Sequence, residues 1–319
     1  MLNNSNTISS SVQKPFIDEE TRFIIPVHLE GEDLSGLLIL VILTAFGILA
    51  NLTTIVIIIR VKQFHKPTYM VIGALAIADT VSLIQYLCHL ILATTSQNLV
   101  DNHGHILMTV IYITAHASAS HVVLLLGLRY YLIAVPLRAM TIRKRHVLTL
   151  SIFMWIFSVV FGVIYYFARF HVAKDKIAIV VLVFRGYLFL VPCIFMLVFH
   201  MIKLYKLRTS ISGFRISQYL RRMSAMILII MVIYIFSAII FPIIFSLNFF
   251  KVLSERESKV IQIFARVIWL FNLSVNPIIY FLYSPKVRRH VTVLWQSDLQ
   301  TRRSSRLSSY NLRSTTGTY

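Results

Sequence analysis

The chain has 319 residues, 57% hydrophobic and only 13% charged, with a formal net charge of +19 and a mean hydropathy of +0.77. A soluble domain of this length needs a polar skin that this composition cannot supply, so a water-soluble globular fold is excluded and bilayer-spanning helices are expected. The basic excess does not point to a nucleic-acid partner, because most Lys and Arg residues fall in short stretches between apolar runs.

Residues 1–36 lack a basic head followed by an apolar run, so no cleavable signal peptide is expected. Asn3 heads an N-N-S glycosylation sequon there. Seven apolar runs follow, at about 37–59, 68–94, 105–131, 147–168, 177–202, 224–248 and 259–283. Each suits one crossing. Hydrocarbon offers no partner for backbone N–H and C=O groups, so the runs must be helices. The expectation is an all-α membrane protein, a seven-transmembrane helix bundle. Its domains are an outer segment (1–36), a membrane domain (37–295) and an unfolded tail (296–319).

The first, third and fifth linkers and the tail hold 20 Lys and Arg residues. The opposite side holds 8 of them and ten of the twelve acids. The positive-inside bias therefore predicts an extracellular amino terminus and a cytoplasmic tail. The only cysteines, Cys88 and Cys193, lie in apolar runs and read as buried structural thiols.

Polar residues inside spans are costly and therefore informative. Span 1 has Asn51, span 2 Asp79, span 3 Ser118 and, at its end, Arg129; span 7 has Asn272 and Asn276. The two asparagines are four apart and share a helix face. With Asp79 and Ser118 they could form an oxygen-rich set at mid-membrane. A sodium ion or water network would satisfy such a set, and so would interhelical hydrogen bonds alone. Pro192, Pro242 and Pro277 interrupt spans 5, 6 and 7, each removing a backbone hydrogen bond. His116 and His121, five apart, diverge on a helix and read as hydrogen-bonded bundle histidines rather than a chelating pair.

The segments "GILAN" (47–51), "LAIAD" (75–79), "LRYYLIAVPL" (128–137), Trp155, "FLVP" (189–192), "FSAIIFP" (236–242) and "NPIIY" (276–280) occur in this order. Together they resemble the rhodopsin-like, class A G-protein-coupled receptors across all seven spans. "NPIIYFLYSPKVRRHV" (276–291) resembles the family's passage into a short amphipathic helix 8 on the inner membrane surface. The resemblance implies a plasma-membrane receptor, not an enzyme, that transmits an extracellular ligand to a heterotrimeric G protein. It places Arg129, Tyr130, Pro136, His200 and Tyr280 at the coupling end. Phe236, Phe241, Pro242, Pro192 and Pro277 fall in the transmission path. Asp79, Ser118, Asn272 and Asn276 match the family's allosteric sodium site, so Na+ is the one ion implied.

Four positions depart from the family pattern. Leu128 stands where an acid usually precedes the arginine, His200 where many members have tyrosine, and Ile240 where tryptophan is usual. Gly104 replaces the span-3 cysteine, so the usual outer disulfide is not expected. At the expected outer cavity, Ile111 takes the place of the acid found in amine receptors, which argues against a monoamine ligand. Arg185 and Arg266 lie near the outer ends of spans 5 and 7; with Ile111 and His116 they make the expected ligand set, suited to a peptide carboxylate or lipid headgroup.

The tail from Gln296 has too few apolar residues to fold. Its "RRSS" makes Ser304 and Ser305 targets for a basic-directed kinase. By resemblance, a receptor kinase and arrestin are the partners such phosphorylation would serve. A basic tail also suits anionic membrane lipids. The competing functions are a constitutively active receptor without a diffusible ligand and a polytopic transporter or channel. A transporter should carry polar residues through the whole bundle, which spans 4 and 6 hardly do. Asp79 is the only acid within any span, which also disfavours an intramembrane hydrolase.

Overall fold

In the computed structural model, the described residues are 33–95, 97–134, 141–173, 176–210, 218–249, 252, 254–284, 287–289 and 292. Seven long helices account for nearly all of them: α1 (Asp33–Arg60), α2 (Pro67–Thr95), α3 (Gln97–Ala134), α4 (Lys144–His171), α5 (Ile177–Ser210), α6 (Gln218–Phe249) and α7 (Glu255–Tyr283). One 3₁₀ turn, Lys62–Phe64, joins α1 to α2 and buries Phe64. Six of the helices are long and apolar enough to cross a membrane; the seventh, α6, contains a shorter apolar stretch, Ser224–Ile240, among its described residues.

Each apolar run therefore became a helix, and most helices run beyond it. The extension is largest in α3, which starts eight residues before the expected run and ends three after it, and α5 continues eight residues past the expected end to Ser210. Residues 287–289 are helical, at the expected start of helix 8; the remainder of that helix lies outside the described residues. So do Asn3, Pro136, Ser304 and Ser305.

Helix α3 is the hub, packing against α2, α4 and α5, while α7 closes the ring against α1, α2 and α6. Two glycines permit the closest approaches. A Cβ on Gly47 of α1 would collide with Ser274 of α7 and Leu83 of α2, and one on Gly162 of α4 with Ile113 of α3. Such contacts let van der Waals packing and short interhelical hydrogen bonds hold helices that gain nothing from excluding lipid.

The outward faces are apolar. On α4, Phe153, Ile156, Phe167 and Phe170 are each more than half exposed. In water this would be an aggregation surface, whereas against hydrocarbon it costs nothing. The capping box at the start of α7 is built by "SERE": the Ser254 N–H donates to Glu257 Oε2 at 2.9 Å, and the Glu257 N–H to Ser254 Oγ. These bonds from the Ser254 side chain and backbone hold the exposed Glu257 carboxyl below its ordinary range.

Cys88 departs from expectation. It is exposed on the outside of the bundle rather than buried, and Cys193 is half-buried; both are free thiols. The neighbour of Cys88 in sequence, His89, takes the inward position instead.

Candidate functional site

Polar groups gather at three levels of the bundle. At the middle, Asp79 of α2 is fully buried. The Ser118 hydroxyl of α3 donates to its Oδ1, and the Asn276 Nδ2 of α7 donates to its Oδ2 at 2.8 Å. One carboxylate thus ties three helices together. Asn51 of α1 extends the layer, its Nδ2 donating to the Leu273 carbonyl of α7 at 3.0 Å and to its own Gly47 carbonyl at 2.9 Å. The Asn51 Oδ1 is buried without a hydrogen-bond partner.

Asn272 does not join this set as expected. It is buried, but one helical turn from Asn276, and it makes no hydrogen bond to Asp79. A four-residue step advances about 6 Å along the axis, and the two carboxylate oxygens are already taken by Ser118 and Asn276. Asp79, Ser118 and Asn51 supply oxygen donors, the type that hard cations take. Asn276 presents an N–H, not its oxygen, to the carboxylate.

Towards one end lies a cavity enclosing about 520 Å³ of space, its open mouth included, between α2, α3, α5 and α7. Tyr86, Ile111, Tyr112, Ala115, Leu188, Phe189 and Trp269 line it, together with Arg185 and Arg266. Both arginines are buried, at 2% and 3% exposure, so they do not snorkel to the membrane surface. Arg185 Nε donates to the Tyr112 hydroxyl at 3.2 Å, and Arg266 Nη2 to Gln262 Oε1 at 3.4 Å. Tyr112 packs against Tyr165 with ring centroids 4.0 Å apart, and the Tyr165 hydroxyl accepts from Arg169 at 2.8 Å. A tyrosine pair therefore separates two guanidiniums. Sequence reasoning did not include Arg169, Tyr112 or Tyr86 in this site.

Of the expected ligand set, Arg185, Arg266 and Ile111 line the cavity and His116 does not. His116 is directed to α4, where its Nδ1 shares a 2.8 Å hydrogen bond with Ser158 Oγ, and its ring stacks on Phe161. His121 repeats the arrangement one level away, sharing a 2.8 Å bond with Ser151. The two histidines are stitches in the α3–α4 seam, as the bundle reading expected.

Towards the other end sits Arg129, only 6% exposed. Leu128 beside it is also buried. Tyr130 stacks on Phe199 of α5 at 6.0 Å. His200 is half-buried, and its Nδ1 makes no hydrogen bond. Lys203, one turn beyond Phe199, is buried within electrostatic reach of Arg129. The sequence assigned Lys203 to a loop, because the apolar run of α5 stops where the helix does not. Tyr280 is buried with its hydroxyl unpaired, lining a second cavity of about 420 Å³ with Pro277, Tyr69 and Met226. Tyr69 and Ser284 share a 3.2 Å hydroxyl contact at its edge.

Phe236 also departs from expectation. It is 56% exposed, on the outer face of α6, and cannot relay motion through the core. Tyr234, two residues earlier and so about 200° around the helix, holds the inner position. Its hydroxyl donates to the Leu188 carbonyl of α5 at 3.4 Å. Pro192 and Pro277 lie inside α5 and α7 as expected. Positions 241 and 242 are helical; the side chains of Phe241 and Pro242 lie outside the description.

Seven apolar helices, a buried carboxylate knot, a cavity at one end and a covered arginine at the other define a multi-pass membrane protein of the receptor type. The family model described as 7 transmembrane receptor (rhodopsin family) matches residues 50–280, well over half of the chain. The chain belongs to that family, whose members as a class couple to G proteins. No curated protein sequence matches it.

Proposed function

We propose that this receptor takes an anionic ligand, a lipid headgroup or a peptide carboxylate, into the cavity from the extracellular side and activates a heterotrimeric G protein at the Arg129 end. One observation carries the reading: two buried guanidiniums, Arg185 and Arg266, converge on a single, otherwise mainly apolar cavity. In so dry a setting a charge-assisted bond to an anion is stronger than one between neutral groups. An apolar body with an acidic end suits both the wall and the cations.

At the coupling end, the G protein would gain Arg129, Tyr130 and His200 as α6 moves away. No covalent step is involved; the receptor acts by favouring the conformation that its ligand binds better. Sodium, held by Asp79, Ser118 and a buried asparagine oxygen, would favour the resting packing by placing a positive charge beside the carboxylate. Phosphorylation at Ser304 and Ser305 would convert a basic tail into an arrestin-binding one.

Nucleotide exchange on reconstituted G proteins, with a panel of acidic lipids and peptides, tests the ligand reading. Arg266→Ala should lower the potency of an active acid by about tenfold or more, the range of one lost charged hydrogen bond. Unchanged potency would remove Arg266 from the ligand site. Leu128→Asp should lower ligand-free exchange at matched surface expression, because it sets an acid beside Arg129 where this chain has Leu128. Equal basal rates in both forms would contradict that. In the same assay, sodium in place of an organic cation should reduce basal exchange of the native chain but not of Asp79→Asn; equal sensitivity would place the ion elsewhere.

A further inference from the structure

The outer half of α2 carries polar groups that the bundle leaves unused. Tyr86 is 1% exposed, lines the cavity, and its hydroxyl has no hydrogen-bond partner. His89, three residues on and on the same face, is equally buried, with neither ring nitrogen bonded. Gln85 has both amide atoms buried and unbonded. Buried polar groups are almost always satisfied, and each one left unmatched keeps an uncompensated desolvation penalty. A cluster of them beside a cavity is explained if a ligand completes it.

The cluster faces a cation. Tyr86 and Arg266 line the same cavity, and both Tyr86 and His89 lie within reach of the Arg266 charge. Trp269 of α7, one turn from Arg266, packs edge-on against the Tyr86 ring at 5.6 Å and fixes its direction. On the opposite wall the Tyr112 hydroxyl already accepts from Arg185, whereas here the Tyr86 hydroxyl is unbonded and Arg266 donates to Gln262 rather than to Tyr86.

We infer that Tyr86 and Arg266 form the acid-head subsite of the cavity, with the tyrosine hydroxyl donating to one oxygen of a ligand carboxylate and the guanidinium to the other. The inference rests on the anionic-ligand reading and makes it specific. It assigns the acid to the α2–α7 wall and leaves the apolar body to Ile111, Leu188 and Phe189. Tyr86 becomes a specificity residue: its hydroxyl donates more strongly to a carboxylate oxygen than to the carbonyl of a neutral amide.

Phenylalkanoic acids of graded chain length and their primary amides provide the probes, and the shift in thermal midpoint of the purified full-length receptor provides the readout. Tyr86→Phe keeps the ring and its contact with Trp269, so folding is preserved. Acids should bind the native receptor at least about tenfold more tightly than their amides. Tyr86→Phe should remove most of that preference while changing amide affinity less than about threefold. Arg266→Lys should retain part of it, since the charge survives and the two-pronged geometry does not. If acids are preferred and Tyr86→Phe binds them as the native chain does, the subsite is wrong and the anionic reading stands. If acids and amides bind the native receptor alike, or no acid binds by about 1 mM, the anionic reading fails and the subsite with it.

Discussion

Asp79 is the constraint around which the bundle is organised. A carboxylate in the middle of a membrane protein is tolerated only if its oxygens are occupied, and here one accepts a hydrogen bond from Ser118 and the other from Asn276. The three residues come from α2, α3 and α7, the helices that also wall the cavity. Fixing them relative to one another sets where Ile111, Arg266 and Tyr86 stand. A shift at that wall that moved α7 would have to act on the Asn276 bond, which gives the fold a physical link between its cavity and its centre.

The cationic groups are segregated. Arg185, Arg266 and Arg169 are near the cavity, with Arg129 and Lys203 at the far end, and the single buried carboxylate among the described residues lies between them. Low dielectric strengthens every unscreened charge. A bundle with cations at both ends and one anion in the middle is accordingly sensitive to any anion that enters either end. Lys203 adds repulsion at the Arg129 end, where many members of the resembled family hold an attracting acid and this chain has Leu128.

The architecture was legible because hydrocarbon leaves the backbone few choices. Seven runs of twenty or more apolar residues had to be helices, and seven long helices stand among the described residues. The Asp79–Ser118–Asn276 knot was legible for the same reason, since polar groups in apolar runs must find one another. Phase around a helix was not. Span 6 is apolar on every side, so its sequence carries no mark of which face turns inward, and Phe236 was assigned to the core where Tyr234 sits. Span ends were blurred because α5 outlasts its apolar run, which hid Lys203. Tyr86 passed unnoticed because its interest lies in what it fails to bond, a property of three-dimensional neighbours alone. His116 fell on the α4 side for want of any sequence signal distinguishing the two faces of α3.

The most direct test exchanges the two ends of the central bond. Asp79→Asn and Asn276→Asp, made singly and together, are compared by thermal unfolding of the purified receptor. If the carboxylate–amide link between α2 and α7 holds the bundle, each single change lowers the midpoint and the exchange restores much of it, with a coupling of about 1 kcal/mol or more. Simple addition of the two losses in the exchanged protein would contradict the account.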